Sequence, residues 1–415
     1  MCALPEISVY FKIYTSDMST NSTTITSGSK PWLQVIRIFV GLLFIFSGLI
    51  KANDPSGLSF KMQEFFSLWG MGAMNDYSMI FSIIVITFEI IAGVGILIGF
   101  AFNAFAFLVL LLMLFFTYLT GFAVWHEYTT GKQLACGCFG DCIPLTATQS
   151  FWKDIILLVL VILLLVYRKS IRPLFRIRAA VILMVVVTGI SLFLQWYPLR
   201  YLPFVDCLPY KVGSNIAEKM QVPEGAEPDV YETTYFYKNL KTGERSEFSQ
   251  DEMLEKNLWQ DTLTWSFDTA YTVLVKKGNS TPEIIGFKLV SFEDEDQTQY
   301  LLSHPKPVFL WFVRDVNTAT DENIDHVRNL ARLCDQNGME FFMITSNSQQ
   351  ETDAFLIKHK LELYTAVLDP TTSKTAVRTN PGMMLLRQGT ILGKWSYKNY
   401  PKSFTVSGND IKLQF

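Results

Sequence analysis

The sequence predicts an α-helical membrane bundle, four helices plus a fifth span, followed by an α/β soluble domain. Hydrophobic residues make up 50% of the 415 and charged residues only 18%, with a mean hydropathy of +0.24. The long apolar runs are confined to the first half, and the last third alternates short apolar strands with amphipathic helices. A net charge of -3 argues against a nucleic-acid partner.

Residues 1–30 are polar and Ser/Thr-rich, with no apolar core after a basic start, so no cleavable signal peptide is expected and the first span is read as the signal. Apolar segments that approach the length of a bilayer crossing fall at 33–50, 79–99, 102–121, 155–167 and 179–194. Arg168, Lys169, Arg172, Arg176 and Arg178 crowd the link between the fourth and fifth. Cytoplasmic loops keep an excess of such residues, so that link and the amino terminus are expected inside, with Lys12, Lys30 and Arg37 in support. By alternation, everything after about Gln195 lies on the outer, oxidising side, as does the loop ACGCFGDCIP. The expected divisions are a polar tail at 1–30, a four-helix unit at 31–167, a basic loop and fifth span at 168–196, a small β-containing region at 197–281 and an α/β domain at 282–415.

The outer loop holds Cys136, Cys138 and Cys142, three of the six cysteines. Gly137, Gly140 and Pro144 break any helix there, so Cys138 and Cys142 can approach disulfide distance. A structural disulfide, thiol exchange with a partner, and a metal site that also uses His126 are the three readings, but Cys-x-Cys-x-x-x-Cys is not a zinc spacing and no metal is assigned. Cys207, just after the fifth span, is a further candidate to bridge to this loop. Glu89 falls mid-span, where an ionised carboxylate is costly; it is read as a proton or quinone site, or else as a packing group bonded to Ser47 or paired with Arg37. Gly95 and Gly99 are read as helix-packing devices, and His126 with Glu127 as a solvated pair.

In the region before the last domain, YETTYFYKNLKTGERSEFS reads as a hairpin that turns at 239–243. Beyond it come a strand at 308–313, a helix at 321–337 closed by Gly338, a strand at 339–345, a helix at 349–359, a strand at 366–368 and a hairpin at 383–395 that turns at Gln388–Gly389. Asn380–Pro381 directly precedes that hairpin. This order resembles the thioredoxin fold in its TlpA-like form, with Thr379-Asn380-Pro381-Gly382 matching the family's cis-proline loop at Pro381. The place of the family's Cys-x-x-Cys reads Arg314-Asp315-Val316-Asn317-Thr318-Ala319-Thr320, and Cys334, late in the next helix, is read as a buried structural thiol. The domain is therefore expected to be non-catalytic, and to bind a partner or hold the membrane part in place.

Arg37-x-x-x-Gly41 through FIFSGLIKANDP, Glu89 with Gly95-x-x-x-Gly99, and CGCFGD resemble the DoxX-like family and its MauE branch. That resemblance implies a multi-pass protein of the bacterial inner membrane with its C-terminal domain in the periplasm. It also implies a role in maturing disulfide-containing partners beside a thioredoxin-like protein. The preferred expectation is thiol–disulfide support in which Cys136, Cys138 and Cys142 pass electrons between a periplasmic partner and a quinone, as in four-helix oxidoreductases that include vitamin K epoxide reductase. The alternative is a non-catalytic scaffold whose soluble domain holds a client, with lipid the other partner in either case. A transporter or metal-handling protein built around Glu89 has no inverted repeat to support it.

Overall fold

The computed structural model describes residues 30–131, 134, 137, 139–228, 230–276, 278, 281–407 and 410–415. It divides into two compact units, one formed by the described residues of 1–52, 83–139 and 144–192, the other by those of 53–82, 140–143 and 193–415.

Among the described residues, five helices are long and apolar enough to cross a membrane: Pro31–Asn53 (α1), Gly72–Ile98, Phe102–Thr130, Ala147–Val166 and Ile177–Arg200. Between the first two lies α2 (Pro55–Leu68), started by Asp54, whose side chain accepts from the Gly57 amide, with Pro55 in the first turn. The second crossing begins in a 3-10 turn, Gly72–Tyr77, and continues as α3 (Ser78–Ile98); the others are α4, α5 and α6 in order. In the first unit, Val40 and Phe44 of α1, Ala92 and Ile96 of α3, Ala106, Val109 and Met113 of α4, and Leu157, Val161 and Leu164 of α5 form one buried seam at helical spacing. Outward residues such as Val35, Phe39 and Ile156 are exposed, as lipid-facing positions are.

Helices approach closely at Gly41 and Gly93, where a Cβ on either would lie 2.8–2.9 Å from the other's carbonyl oxygen. Gly95 and Gly99, read as packing positions, are tight as well. Gly95 seats the Phe105 ring, and Gly99, at φ +72, ends its helix against the Arg172–Pro173 backbone. Helix α4 runs past the expected end at 121 to Thr130 because its polar last turns still hydrogen-bond, and Gly131 stops it in the left-handed region. Helix α5 starts at Ala147, eight residues before the expected span, on a capping box between Thr146 and Gln149.

The second unit contains two sheets and a terminal hairpin. Strands β1 (Val230–Asn239), β2 (Arg245–Ser249) and β3 (Trp265–Lys276) form an antiparallel sheet in the order β2-β1-β3, so the expected hairpin gains a third strand. The larger sheet has the order β6-β5-β4-β7-β8, from β4 (Val308–Val313), β5 (Glu340–Thr345), β6 (Tyr364–Val367), β7 (Gly382–Arg387) and β8 (Thr390–Ser396). Strands β4, β5 and β6 run parallel, while β7 and β8 are antiparallel additions. All six residues of β4 are buried, and they alternate between two cores. Val308, Leu310 and Phe312 face Tyr210, Ile216, Phe287 and Leu289, whereas Phe309, Trp311 and Val313 face Val327, Leu330, Phe355 and Phe404. Helix Ile324–Asn337 ends at Gly338, and helix Gln349–His359 begins on a capping box of Ser348 and Glu351. Strands β9 (Ser403–Ser407) and β10 (Asp410–Gln414) pair as the closing hairpin.

Candidate functional site

Three features carry chemistry. The first is inside the membrane unit, where Glu89 and Lys51 are 1% and 3% exposed and form an ion pair of 2.5 Å. Ser47, one turn before Lys51 on the same face of α1, donates to the other Glu89 oxygen at 3.2 Å and accepts from Lys51 at 3.1 Å. The Lys51 ammonium also lies 5.0 Å from the centre of the Phe116 ring. The expected Ser47 bond is present, but the cation is Lys51 and not Arg37. Arg37 lies about 21 Å farther back along the helix axis and donates instead to the Arg172 carbonyl at 3.2 Å. A second buried carboxylate, Asp154, accepts from Thr120 at 3.1 Å and pairs with Lys153 at 2.7 Å. Sequence reading passed it over because Lys153-Asp154 looked like the polar edge of a shorter span.

Lys153 also lines a groove of about 490 Å³ with Phe39, Leu43, Trp152, Ile156 and Leu157. Its ammonium lies 5.1 Å from the centre of the Phe139 ring, and Phe139 directly follows Cys138 in sequence. Thr148 and Gln149 complete the groove's lining, and the Lys153 ammonium is the one paired with Asp154.

The second feature is the cysteine loop. Cys136 and Cys138 lie outside the described residues. Cys142 is bonded to Cys207, 65 residues on, with the Cα atoms 4.8 Å apart, so the pairing of Cys138 with Cys142 that spacing suggested is replaced by a long-range bridge. Each bonded cysteine follows an aspartate, and each aspartate is gripped by a cation of the larger sheet's end of the unit. Asp141 meets Nη2 of Arg378 at 2.5 Å, and Asp206 meets Nζ of Lys394 at 2.5 Å. Arg378 also bonds Asp54 through Nε at 2.8 Å. Burial holds the Asp54 carboxyl above its ordinary range against the pull of Arg378, and burial draws the Lys394 ammonium down against Asp206. Phe60 of α2 lies 5.6 Å from each of the Arg314 and Arg378 guanidinium carbons. None of these partners was legible as a pair, because Asp141 and Arg378 are 237 residues apart.

The third feature is the place where a thioredoxin carries its dithiol. The Asn380–Pro381 peptide is cis. Asn380 reaches into the loop after β4, donating to the Asp315 carbonyl at 2.7 Å and to Thr318 Oγ1 at 3.1 Å. Thr318 in turn donates to the Asp315 carboxylate at 2.8 Å. A closed polar network stands where two thiols would be, and the next helix in sequence begins only at Ile324, while Asn347 and Glu351 at the start of the Gln349–His359 helix accept from the Val316 amide and from Asn317. Cys334 is free and buried, and desolvation raises its thiol well above the usual range.

Among the described residues no group of His, Cys, Asp and Glu is placed to hold a metal ion. His126 contacts Thr130 at 3.3 Å through its ring.

Residues 29–167, a third of the chain, match the family model of methylamine utilisation protein MauE. No curated protein matches. Among solved structures, a secreted Mycobacterium tuberculosis disulfide oxidoreductase homologous to E. coli DsbE is 18% identical over 26% of this chain and 80% of its own, with a TM-score of 0.21. Reduced Prx3 of Vibrio vulnificus is 16% identical over 30% and 89%, with a TM-score of 0.23. A thiol:disulfide interchange protein from Bacteroides sp. is 10% identical over 26% and 74%, with a TM-score of 0.21. These scores are low, and the thioredoxin-like assignment of the last domain rests on its strand order and connections. The chain thus joins a MauE-like membrane region to a C-terminal thioredoxin-like domain that has no dithiol of its own.

Proposed function

We propose that this multi-pass membrane protein supports thiol–disulfide chemistry, or the maturation of a disulfide-containing partner, on the outer face of the bacterial inner membrane. The observation that carries the reading is the Cys142–Cys207 bond, made by the same loop that supplies Cys136 and Cys138 in sequence. The basic residues Arg168, Lys169, Arg172, Arg176 and Arg178 support a cytoplasmic link between the fourth and fifth spans, and so a periplasmic cysteine loop. In such chemistry a partner dithiol attacks a loop disulfide, passes through a mixed disulfide and leaves oxidised, while two electrons and two protons arrive on the loop. A bound quinone would take up electrons and protons from the dithiol. The residues suited to hold it are Lys153 and the apolar wall of Phe39, Leu43 and Trp152.

Alkylation trapping in cells tests the reading. Cys136, Cys138, Cys142 and Cys207 are expected to change modification state between oxidising and reducing growth. A fixed state in both would end it.

A second reading, a non-catalytic scaffold, is favoured by the Asn380–Asp315–Thr318 network in the dithiol's place. On that reading, cysteine-to-serine variants lose stability and keep client capture in a pull-down. Folded variants that lose the client would exclude it.

A further inference from the structure

The two halves of the Cys142–Cys207 bridge are tethered very unequally once the sulfur–sulfur bond is left out of account. On the Cys207 side, Asn53 bonds Val205 in both directions, at 2.8 and 3.0 Å. Lys394 holds Asp206 and also donates to the Tyr210 carbonyl at 3.1 Å. Ser396 donates to the Arg200 carbonyl at 2.6 Å. On the Cys142 side, among the described residues, Gly140–Ile143 has one side-chain tie besides the disulfide, from Asp141 to Arg378.

Arg378 stands just before β7, and Lys394 lies on β8, where it pairs with Met384 of β7. Lys394 is therefore mounted on a strand of the larger sheet and Arg378 four residues ahead of its neighbouring strand, and their side chains are 4% and 6% exposed. Neither tie uses sulfur, so neither depends chemically on the disulfide being closed. Each fixes the main chain one residue away from a thiol.

We propose that Arg378 and Lys394 are positioning residues that keep Cys142 and Cys207 within reach of each other in the dithiol state. The soluble domain that lacks a dithiol thereby serves one borrowed from two other segments of the chain. The pair then works as a reversible couple with a high effective concentration, not as a staple closed once. The inference rests on the thiol–disulfide reading above. In the forward step an external dithiol opens the bond by exchange, and two electrons and two protons end on Cys142 and Cys207. The reverse step returns them to an external disulfide.

The test uses the full chain in detergent, with Cys136→Ser and Cys138→Ser, equilibrated in mixtures of reduced and oxidised glutathione. Acid quenching, alkylation and mass spectrometry then give the fraction of the Cys142–Cys207 bond. Arg378→Gln is expected to lower the equilibrium constant for closing the bond by about tenfold, which is about 30 mV toward easier reduction for two electrons. Asp141→Asn releases the same tie while leaving Arg378 on Asp54, and is expected to match it. Lys394→Gln is expected to do less, because Asn53 and Ser396 still hold its side. Arg378→Lys is expected to recover part of the loss.

A thermal melt reports folding. If Arg378→Gln does not fold, Asp141→Asn and Arg378→Lys carry the comparison. Folded variants at Asp141 and Arg378 with the parent's equilibrium constant would overturn the proposal, as would a bond that glutathione never opens. The trapping experiment in cells reports on the redox reading alone, so the two can fail separately.

Discussion

Two buried charge clusters in this chain solve the same problem differently. In the membrane unit one ammonium meets one carboxylate, and Ser47 satisfies the remaining oxygen, so Lys51 and Glu89 are matched with almost no exposure. In the other unit one guanidinium, Arg378, serves two carboxylates, of which Asp54 is 16% and Asp141 31% exposed. There the Gly57 amide donates to Asp54, and the remainder of both carboxylates is open to solvent. Inside lipid no such remainder is tolerated, since an unpaired charge has no solvent to fall back on. The membrane pair is thus a closed set with Ser47, whereas Arg378 joins two segments, at Asp54 and at Asp141, that lie far from it in sequence.

Breaking the membrane pair should have the largest effect. Lys51→Met leaves Glu89 buried and unpaired, with an expected loss of about 3–5 kcal/mol, read as a lower unfolding midpoint in detergent. The double change Lys51→Met with Glu89→Met should return most of it; a double variant no better than the single would refute the matched-pair account. Arg378→Gln should cost less, about 2–3 kcal/mol, because Asp141 reaches water, and a loss equal to that of Lys51→Met would erase the contrast drawn here.

Acid titration sharpens the comparison within the soluble unit. Asp54 has its carboxyl raised, chiefly by burial. Its share of stability is therefore present below its ordinary value and is lost as pH rises through the raised one. Glu351 is the opposite case: its bonds to Ser348, Asn347 and Asn317 depress it from 4.5 to about 2. Its contribution is present above 4.5 and disappears as pH falls toward 2. Melting curves against pH for Asp54→Asn and Glu351→Gln should lose slopes of opposite sign. Equal signs would contradict the assignment. The smallest effect is expected for Ser348→Ala, about 1 kcal/mol for a lost helix cap, measured by the same melts.

Where the sequence was legible, one physical rule dominated locally. Strand β4 reads residue for residue because a fully buried strand is a short, unbroken apolar run. The Gln349–His359 helix does so because Ser348 and Glu351 form its box. Helix α2 is hard to read from sequence, although Asp54-Pro55 is a start signal, because it follows directly on a membrane span. Strand β3 was missed because its polar residues, among them Ser266, Asp268 and Thr269, dilute the strand pattern. Lys51 belongs to the DoxX-like segment FIFSGLIKANDP, and its pairing with Glu89 follows from its place one turn after Ser47. The Arg378 and Lys394 ties could not be read, since nothing local marks a partner that only the folded sheet brings near.

The covalent bridge between residues 142 and 207 also has a consequence for how the protein is made. It joins cysteines 65 positions apart in sequence and so closes a ring that contains the whole of α5 and α6. The ring cannot close until both helices have been threaded into the bilayer and residue 207 has emerged beside residue 142. Formation of that bond is therefore a chemical timestamp of completed insertion, and a chain stalled before its last crossing would carry Cys142 unbridged to Cys207.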